Sequence, residues 1–358
     1  MATTQGNIVN GKTQRIGYID AMRGFTMFLV VLGHVVALCW QLGPETPTFH
    51  HFFTQVRMPM FFFISGFVLY KASVVWNWQH IVQFFKKKIP VQLISPFIFF
   101  LIYVHVMGFS LYDSMMDKAK LGYWFTLVLL EYYVFYAAVR FVVRNRWASW
   151  ILLAMGLFMY GVCWPTMTVH NQTADNALAL ISAHQWRFFL FFVLGTFTKQ
   201  YFGKVEQLLD SKWLLPVCIA IYFGVNAFGD ALPIKAIPVK GLLALTGLVI
   251  MFSFFRNKQA LFSQETRLGR TMQYVGRHTL DIYLIHFFLL PRYLSQFTLF
   301  KDYPMPIIEF AVSSLIAIII IAACLLISNI IRLSPTLAHF LFGAKTDEKS
   351  YIKQLNNK

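Results

Sequence analysis

The sequence has very little charge for its length, and acidic residues are especially scarce. Only 13% of its 358 residues are charged, and 15 Asp and Glu stand against 31 Lys and Arg. A soluble domain of this size needs a polar exterior, which so small a charged fraction can hardly cover. The shortage of charge therefore argues against a soluble globular fold.

Cysteine is scarce as well, and the sequence has no paired cysteine spacing. The four cysteines are scattered through apolar segments, at Cys39, Cys163, Cys218 and Cys324. This pattern disfavours a disulfide framework and indicates small apolar packing residues. No cluster of histidines and carboxylates has metal-ligand spacing, so we predict that no metal is used. The first 15 residues are polar, and a cleavable signal peptide is not expected.

Long apolar runs take the place of the missing charge. Hydrophobic residues make up 58% of the chain, in runs of about 18 to 25 residues, the length that a helix needs to cross a bilayer. The ten-residue alternating segments of a membrane barrel are absent. We predict an all-α, polytopic integral membrane bundle of about ten transmembrane helices, forming a single domain over 1–343 with a short cytoplasmic tail at 344–358. The predicted spans are 17–40, 52–70, 89–109, 123–140, 147–164, 185–201, 213–229, 240–256, 278–298 and 307–331.

The basic residues lie mainly in the connectors between these spans. One side of the predicted membrane has 22 Lys and Arg in its connectors, and the other side has seven: Lys118, Lys120, Arg187, Lys235, Lys240, Arg292 and Lys301. Because connectors rich in Lys and Arg stay in the cytoplasm, both termini are predicted to be cytoplasmic. The net charge of +16 is thus explained by topology and lipid headgroups, and nucleic acid is not expected as a partner.

Ionisable residues inside the first two spans stand out, because a charge in hydrocarbon is costly unless it is paired or hydrated. The first span contains Asp20, Arg23 and His34. Arg23 and His34 share a helix face and lie about 16 Å apart along the axis. Arg57 in the second span is predicted to lie at the depth of His34. A neutral histidine can accept a proton beside a cation that stabilises an oxyanion, which suits catalysis. The alternatives are a core histidine, a structural Asp20–Arg23 pair and an interfacial Arg57.

Glu131 is a single carboxylate inside the fourth predicted span. Two interpretations stay open for it. Glu131 could be the partner of Arg57 or Arg187, or it could be a catalytic group that orients His34 or the acceptor.

Other polar and aromatic residues are further candidates. His286 and Asp281 in the ninth span could line a cavity, with a structural role favoured for Asp281. Trp124 suits an aromatic belt at the membrane interface, or a surface on which a sugar stacks. His50 and His51 are expected in a solvated loop.

The first two spans resemble a known family. The run "YIDAMRGFTMFLVVLGH" resembles the opening helix of acyltransferase family 3, with its Arg and His separated by ten residues. The run "VRMPMFFFISGFVLYKA" resembles that family's second helix, and "VGRHTLDIYLIH" also fits the family. The resemblance is strong over about 15–100 and moderate over 275–286, and elsewhere it rests on hydropathy and the order of spans.

This resemblance implies an enzyme of a bacterial-type inner membrane. The family moves an acyl group, commonly acetyl, from cytoplasmic acyl-CoA to a hydroxyl of a carbohydrate or envelope glycan at the outer side. His34 would be the catalytic histidine and Arg23 its partner in the Arg–His motif. From their positions in the spans, and not from the resemblance, Arg57 and Glu131 are predicted as further catalytic residues. The predicted acyl-CoA site consists of Arg23, Asp20, Lys86, Lys87 and Lys88. The lysines, with Gln92, stand where the family often has two arginines, and lysine lacks the bidentate geometry of arginine.

Two other classes of function would use the same buried charges. A transporter or flippase would use them as a substrate pathway, but the internal repeats typical of many transporters are not evident. A membrane structural or sensor subunit would use them for assembly only. The lipid bilayer is an expected partner in each case, and a homo-oligomer is compatible with all three.

Overall fold

The computed structural model describes residues 16–43, 46, 48–163, 172–228 and 236–343, and these ranges are helical without any strand. The α-helices are α1 Gly17–His34, α2 His50–Leu69, α3 Trp78–Ile89, α4 Ser95–Met107, α5 Leu111–Met116, α6 Trp124–Val142, α7 Trp147–Cys163, α8 Gln172–Leu180, α9 Phe189–Gln200, α10 Phe202–Leu209, α11 Leu214–Phe228, α12 Ala236–Asn257, α13 Arg267–Arg277, α14 Thr279–Leu289, α15 Leu299–Asp302, α16 Pro306–Ile331 and α17 Pro335–Phe342. The predicted tail, 344–358, lies outside the described residues.

Several helical segments are long and apolar enough to cross a membrane. Within the described ranges there are six: Gly17–Cys39, His50–Leu69, Trp78–Met107, Trp124–Val142, Pro238–Asn257 and Pro306–Ile331. Two bent helix pairs, at 173–200 and 202–228, raise the number to eight if each is one span. The shorter apolar helices α7 and α14 match two further predicted spans. The chain is therefore an all-α multi-pass membrane protein, while ten spans and cytoplasmic termini stay predictions.

Burial separates the central helix from the lipid-facing ones. In the most apolar stretch of α1, 67% of the residues are buried, whereas the corresponding figure for α16 is only 28%. A helix that is apolar all round and yet exposed to this extent has to face lipid. Helix α1, which contains Arg23 and His34, is instead packed inside the bundle.

Helix α1 does not end regularly after His34. The chain continues as a π-helical turn over Val35–Cys39, and a second π turn, Pro90–Ile94, joins α3 to α4. Such π-helical turns within helices are often found at functional sites. Because α3 begins at Trp78, the predicted boundary of the third span at residue 89 was wrong. Helix α3 has no buried residue, and its last turn contains the three lysines.

The ninth predicted span, 278–298, was also too long. Helix α14 ends at Leu289, and Leu290 has an extended backbone with φ −67° and ψ 121°. Leu290 precedes Pro291, and a residue before proline is pushed out of the helical region, which explains the stop. A 3₁₀ turn, Arg292–Gln296, follows.

Close helix contacts hold α2 against α9. A side-chain carbon on Gly66 would lie 1.9 Å from the carbonyl oxygen of Phe192, and one on Gly195 would lie 2.0 Å from that of Phe63. Only glycine lets two helix backbones approach so closely, as is common in membrane bundles.

Candidate functional site

A narrow cavity of about 150 Å³, named here the histidine cavity, runs inside the bundle between α1, α2, α6 and α14. Arg23, Met27, Val30 and His34 line it from α1. Their spacings of four, three and four residues place them in one stripe on a helix. The cavity therefore follows α1 for about 16 Å, from Arg23 to His34.

The imidazole of His34 reaches this cavity and is backed by two aromatic rings. Its ring centroid lies 5.3 Å from that of His286 and 4.9 Å from that of Phe287. His286 is fully buried, and its Nδ1 lies 2.9 Å from the carbonyl oxygen of Ile282. Because a carbonyl only accepts, this Nδ1 donates, and Nε2 of a neutral His286 has no proton. Nε2 is buried without a hydrogen-bond partner among the described residues.

Arg57 on α2 reaches the same place. A side-chain carbon on Gly33 would lie 1.5 Å from Nη1 of Arg57, so the guanidinium packs directly on the backbone beside His34. This Nη1 is buried and has no hydrogen-bond partner in the part of the chain that the structure describes. Its unused donor capacity lies where α1 and α2 meet. The structure thus brings His34 and Arg57 together, as their matching depth predicts.

A second, larger cavity of about 410 Å³ adjoins the first and is named here the basic cavity. Arg57, Met58 and Trp124 line both cavities. Arg187 from the 3₁₀ turn before α9 and Lys240 from α12 line the basic cavity alone. No Asp or Glu is among the described residues that line either cavity. Both spaces are therefore suited to anionic or polar ligands.

Trp124 lines both cavities and is the first residue of α6, whose N-terminus is fixed by hydrogen bonds to α14. The hydroxyl of Tyr283 donates to the carbonyl of Gly122 at 3.0 Å and accepts from the amide of Phe125 at 3.2 Å. The hydroxyl of Tyr123 donates to the carbonyl of Leu284 at 2.9 Å. These bonds tie α6 to α14 on both sides of Trp124. Trp124 is thus part of both cavity walls, and its place in an aromatic belt at the membrane interface stays a prediction.

The residues predicted to bind acyl-CoA differ in burial and position. Lys88 is half-buried, with Nζ 5.0 Å from the ring centroid of Tyr133, and it is within electrostatic range of Arg23. Lys86 and Lys87 are exposed. Asp20 is half-buried in the first turn of α1 and does not line the histidine cavity. Its part in donor binding, like that of Lys86 and Lys87, stays a prediction.

Glu131 is not among the residues that line either cavity. Its carboxylate accepts a hydrogen bond of 2.7 Å from Nε1 of Trp186. Trp186 precedes Arg187, so Glu131 supports the segment that forms one wall of the basic cavity. The structure does not bring Glu131 to His34 through any contact that it shows, and its catalytic role stays a prediction.

The family model described as an acyltransferase domain, that of acyltransferase family 3, matches residues 16–328. The chain belongs to acyltransferase family 3. No curated protein and no solved structure matches it. In this family member the Arg and His of the opening motif, Arg23 and His34, line the same cavity from its two ends. The second motif contributes Arg57, Met58 and Ser65 to the cavity wall.

Some residues of the site were not predicted. His50 is buried at the start of α2, and its ring lies against Gly33, so its expected place in a solvated loop was wrong. Its spacing of seven residues from Arg57 could have shown that both lie on one helix face. Gln92, in the second π turn, lines the histidine cavity with Thr126 and Tyr283. No group of three or more His, Cys, Asp or Glu in the described ranges could hold a metal ion.

Proposed function

We propose that this acyltransferase moves an acyl group, in the first instance acetyl, from cytoplasmic acyl-CoA to a hydroxyl of a carbohydrate or envelope glycan. The acceptor would lie at the outer side of a bacterial-type inner membrane crossed ten times, with both termini in the cytoplasm. One observation carries the proposal. Arg23 and His34 line a single narrow cavity, which adjoins a larger one at Arg57.

The histidine cavity suits the shape of the donor. The phosphates of CoA cannot cheaply enter hydrocarbon, so they would stay at the Arg23 end, near Lys88. The pantetheine arm is thin and extended, as the small volume of this cavity and its length of about 16 Å require. The thioester would then arrive at His34, while the acceptor enters through the basic cavity.

The transfer needs one proton acceptor and one stabilising cation. As a general base, His34 takes the proton of the acceptor hydroxyl, and the oxygen forms a bond to the thioester carbonyl carbon. The carbon–sulfur bond then breaks, and the proton passes to the CoA thiolate. In the covalent alternative, a ring nitrogen of His34 first bonds to the carbonyl carbon and CoA leaves as the thiolate. The acceptor oxygen then bonds to the same carbon, the bond to His34 breaks, and the hydroxyl proton passes to the thiolate. In both routes Arg57 donates hydrogen bonds to the oxyanion that forms on the carbonyl oxygen.

The buried ring of His286 would support His34 from behind. Nδ1 of His286 donates to a backbone carbonyl, so the Nε2 of a neutral His286 is a hydrogen-bond acceptor. It could accept a hydrogen bond from an N–H of a neighbouring ring. Such a contact would hold the His34 ring in one orientation, as the third member of a catalytic triad does.

Acyl-CoA turnover tests the proposed function. Purified protein in nanodiscs is incubated with acetyl-CoA labelled in the acetyl group and with a glycan extract of the membrane. We expect protein-dependent release of free CoA and label in the glycan. A transporter or flippase would instead move its substrate with the thioester intact, and no free CoA would form.

Neutral replacements at the donor end should weaken acyl-CoA binding. We expect Arg23→Gln and Lys88→Gln each to raise KM for acetyl-CoA about tenfold, because each removes a charge-assisted bond to phosphate. With acetyl-pantetheine, which lacks those phosphates, the same variants should change KM little. Lys204→Gln is the matched control, since Lys204 is exposed and lines neither cavity. Equal KM shifts for both donors would contradict the placement of the phosphates.

A further inference from the structure

The basic cavity has more cationic side chains than we expect on the predicted outer side of the membrane. Three cationic side chains line it, those of Arg57, Arg187 and Lys240, and no Asp or Glu does so in the described residues. Only seven Lys and Arg fall on the predicted outer side, and two of these seven converge on this cavity. Topology alone favours few cations on that side, so their convergence calls for a separate reason.

Three of the other cations on the predicted outer side contact protein groups, and they are Lys118, Lys120 and Arg292. Lys118 forms an ion pair with Asp175 at 3.0 Å. Nζ of Lys120 is directed to three backbone carbonyls, those of Met115, Asp117 and Ala179. Arg292 donates to the hydroxyl of Tyr103. Arg187 and Lys240 also have contacts within the protein, and they differ from these three in lining a cavity large enough for a ligand.

The guanidinium of Arg187 is held in a defined orientation. Its Cζ lies 4.9 Å from the ring centroid of Phe188, and its Nη2 donates to Oε1 of Gln185 at 3.3 Å. A planar guanidinium fixed in this way matches the geometry of a carboxylate or phosphate, to which it can donate two bonds. Lys240, half-buried on α12, adds a point charge in the same cavity.

We propose that the acceptor carries an anionic group, a carboxylate or a phosphate, next to the hydroxyl that is acylated, and that Arg187 and Lys240 bind it. The inference rests on the proposed acyltransferase function and names its acceptor class. The volume of about 410 Å³ lies within the range of small-ligand sites, roughly 300 to 1,000 Å³. Trp124, Tyr160 and Phe191 line the same space and offer apolar ring faces to a sugar.

Charge separation of glycan fragments tests whether the natural acceptor is anionic. Glycans from cells with the wild-type protein, and from cells with His34→Gln, are cleaved to single repeat units and separated by anion exchange, and acyl groups are located by mass spectrometry. We expect the acyl increment in retained, acidic units of wild-type cells only. Acyl groups in neutral units would overturn the inference and leave the acyltransferase proposal standing. No difference between the two cell types would instead sink the proposed function.

Chemical treatment of the retained units shows whether their negative charge comes from a carboxylate or a phosphate. If a carboxylate is responsible, reduction of the carboxyl groups abolishes retention. If a phosphate is responsible, phosphatase or mild acid abolishes it. If retention survives both treatments, the anion is neither of these, and the inference is wrong.

Variants of the two cations test the binding site itself. With the isolated acceptor, Arg187→Gln and Lys240→Gln should each raise its KM about tenfold, while KM for acetyl-CoA stays unchanged. Arg187→Lys and Lys240→Arg keep the charge and should retain more affinity than the glutamine variants. Lys301→Gln is the control, because Lys301 is an exposed outer-side cation that lines neither cavity. An unchanged acceptor KM in both glutamine variants, or a raised KM for acetyl-CoA, would overturn the assignment.

Discussion

Replacing His34 by glutamine is expected to lower the rate of acyl transfer by about 100- to 10,000-fold, the usual contribution of a general base. Glutamine can still form hydrogen bonds at the cavity wall but does not take up a proton at neutral pH. Binding of acetyl-CoA should persist, because its phosphates would lie about 16 Å away at the Arg23 end. The measurement is label transfer from acetyl-CoA, with donor binding followed separately.

His105→Gln is the matched control for this variant. His105 is exposed on α4 and lines neither cavity, so its replacement should leave the rate near that of the wild type. Added imidazole should restore part of the activity in His34→Ala, where it can occupy the space of the lost ring. If a correctly inserted His34→Gln variant transferred acyl groups at the wild-type rate, His34 would not be the catalytic residue.

Loss of Arg57 should be nearly as damaging. Arg57→Gln is expected to lower kcat by about 100- to 1,000-fold, the cost of removing one donor to a developing oxyanion. Arg57→Lys keeps the charge but loses the paired donors and should fall between that variant and the wild type. The measurement is kcat at saturating acetyl-CoA. A change confined to KM would assign Arg57 to binding and would contradict its role at the oxyanion.

Gly33→Ala tests the position of Arg57 without changing its chemistry. The added methyl carbon would lie 1.5 Å from Nη1, so the guanidinium has to move away from the backbone beside His34. Because a small displacement of a catalytic group is costly, kcat should fall although both His34 and Arg57 are present. An unchanged kcat would show that Arg57 does not act from this position.

Much of the histidine cavity could be predicted from local periodicity. The spacing of Arg23 and His34 is a property of one helix, and the short connection to α2 is enough to place Arg57 near His34. Neither inference needs long-range packing, because helix geometry converts residue numbers directly into positions. The structure confirms both helices, and the two family motifs lie on them.

The remainder of the site depends on contacts between distant segments. Glu131 and Trp186 are 55 residues apart, and no spacing rule joins them. The basic cavity likewise combines side chains from α2, the turn before α9 and α12. Hydropathy shows which segments cross the membrane but not how they are arranged around one another. For this reason Glu131 could be singled out from the sequence, whereas its partner could not.

The ends of some helices also could not be predicted from the sequence. The apolar runs predicted the helix ends to within a few residues in most places, yet α3 begins well before its predicted start and α14 ends well before its predicted end. An amphipathic segment such as α3 does not stand out in hydropathy, because the three lysines in its last turn lower the average. The π turn that brings Gln92 to the cavity could not be predicted either.

The sidedness of acyl transfer tests the central claim most directly. Labelled acetyl-CoA, which does not cross membranes, is added to inverted and to right-side-out membrane vesicles that contain the protein and its natural glycan. If the donor enters from the cytoplasm and the acceptor from the outer side, label appears in glycan inside inverted vesicles, where the cytoplasmic face is outward. None appears in right-side-out vesicles or with His34→Gln. Equal labelling of both vesicle types, or labelling that persists in His34→Gln, would contradict transfer across the bundle through His34.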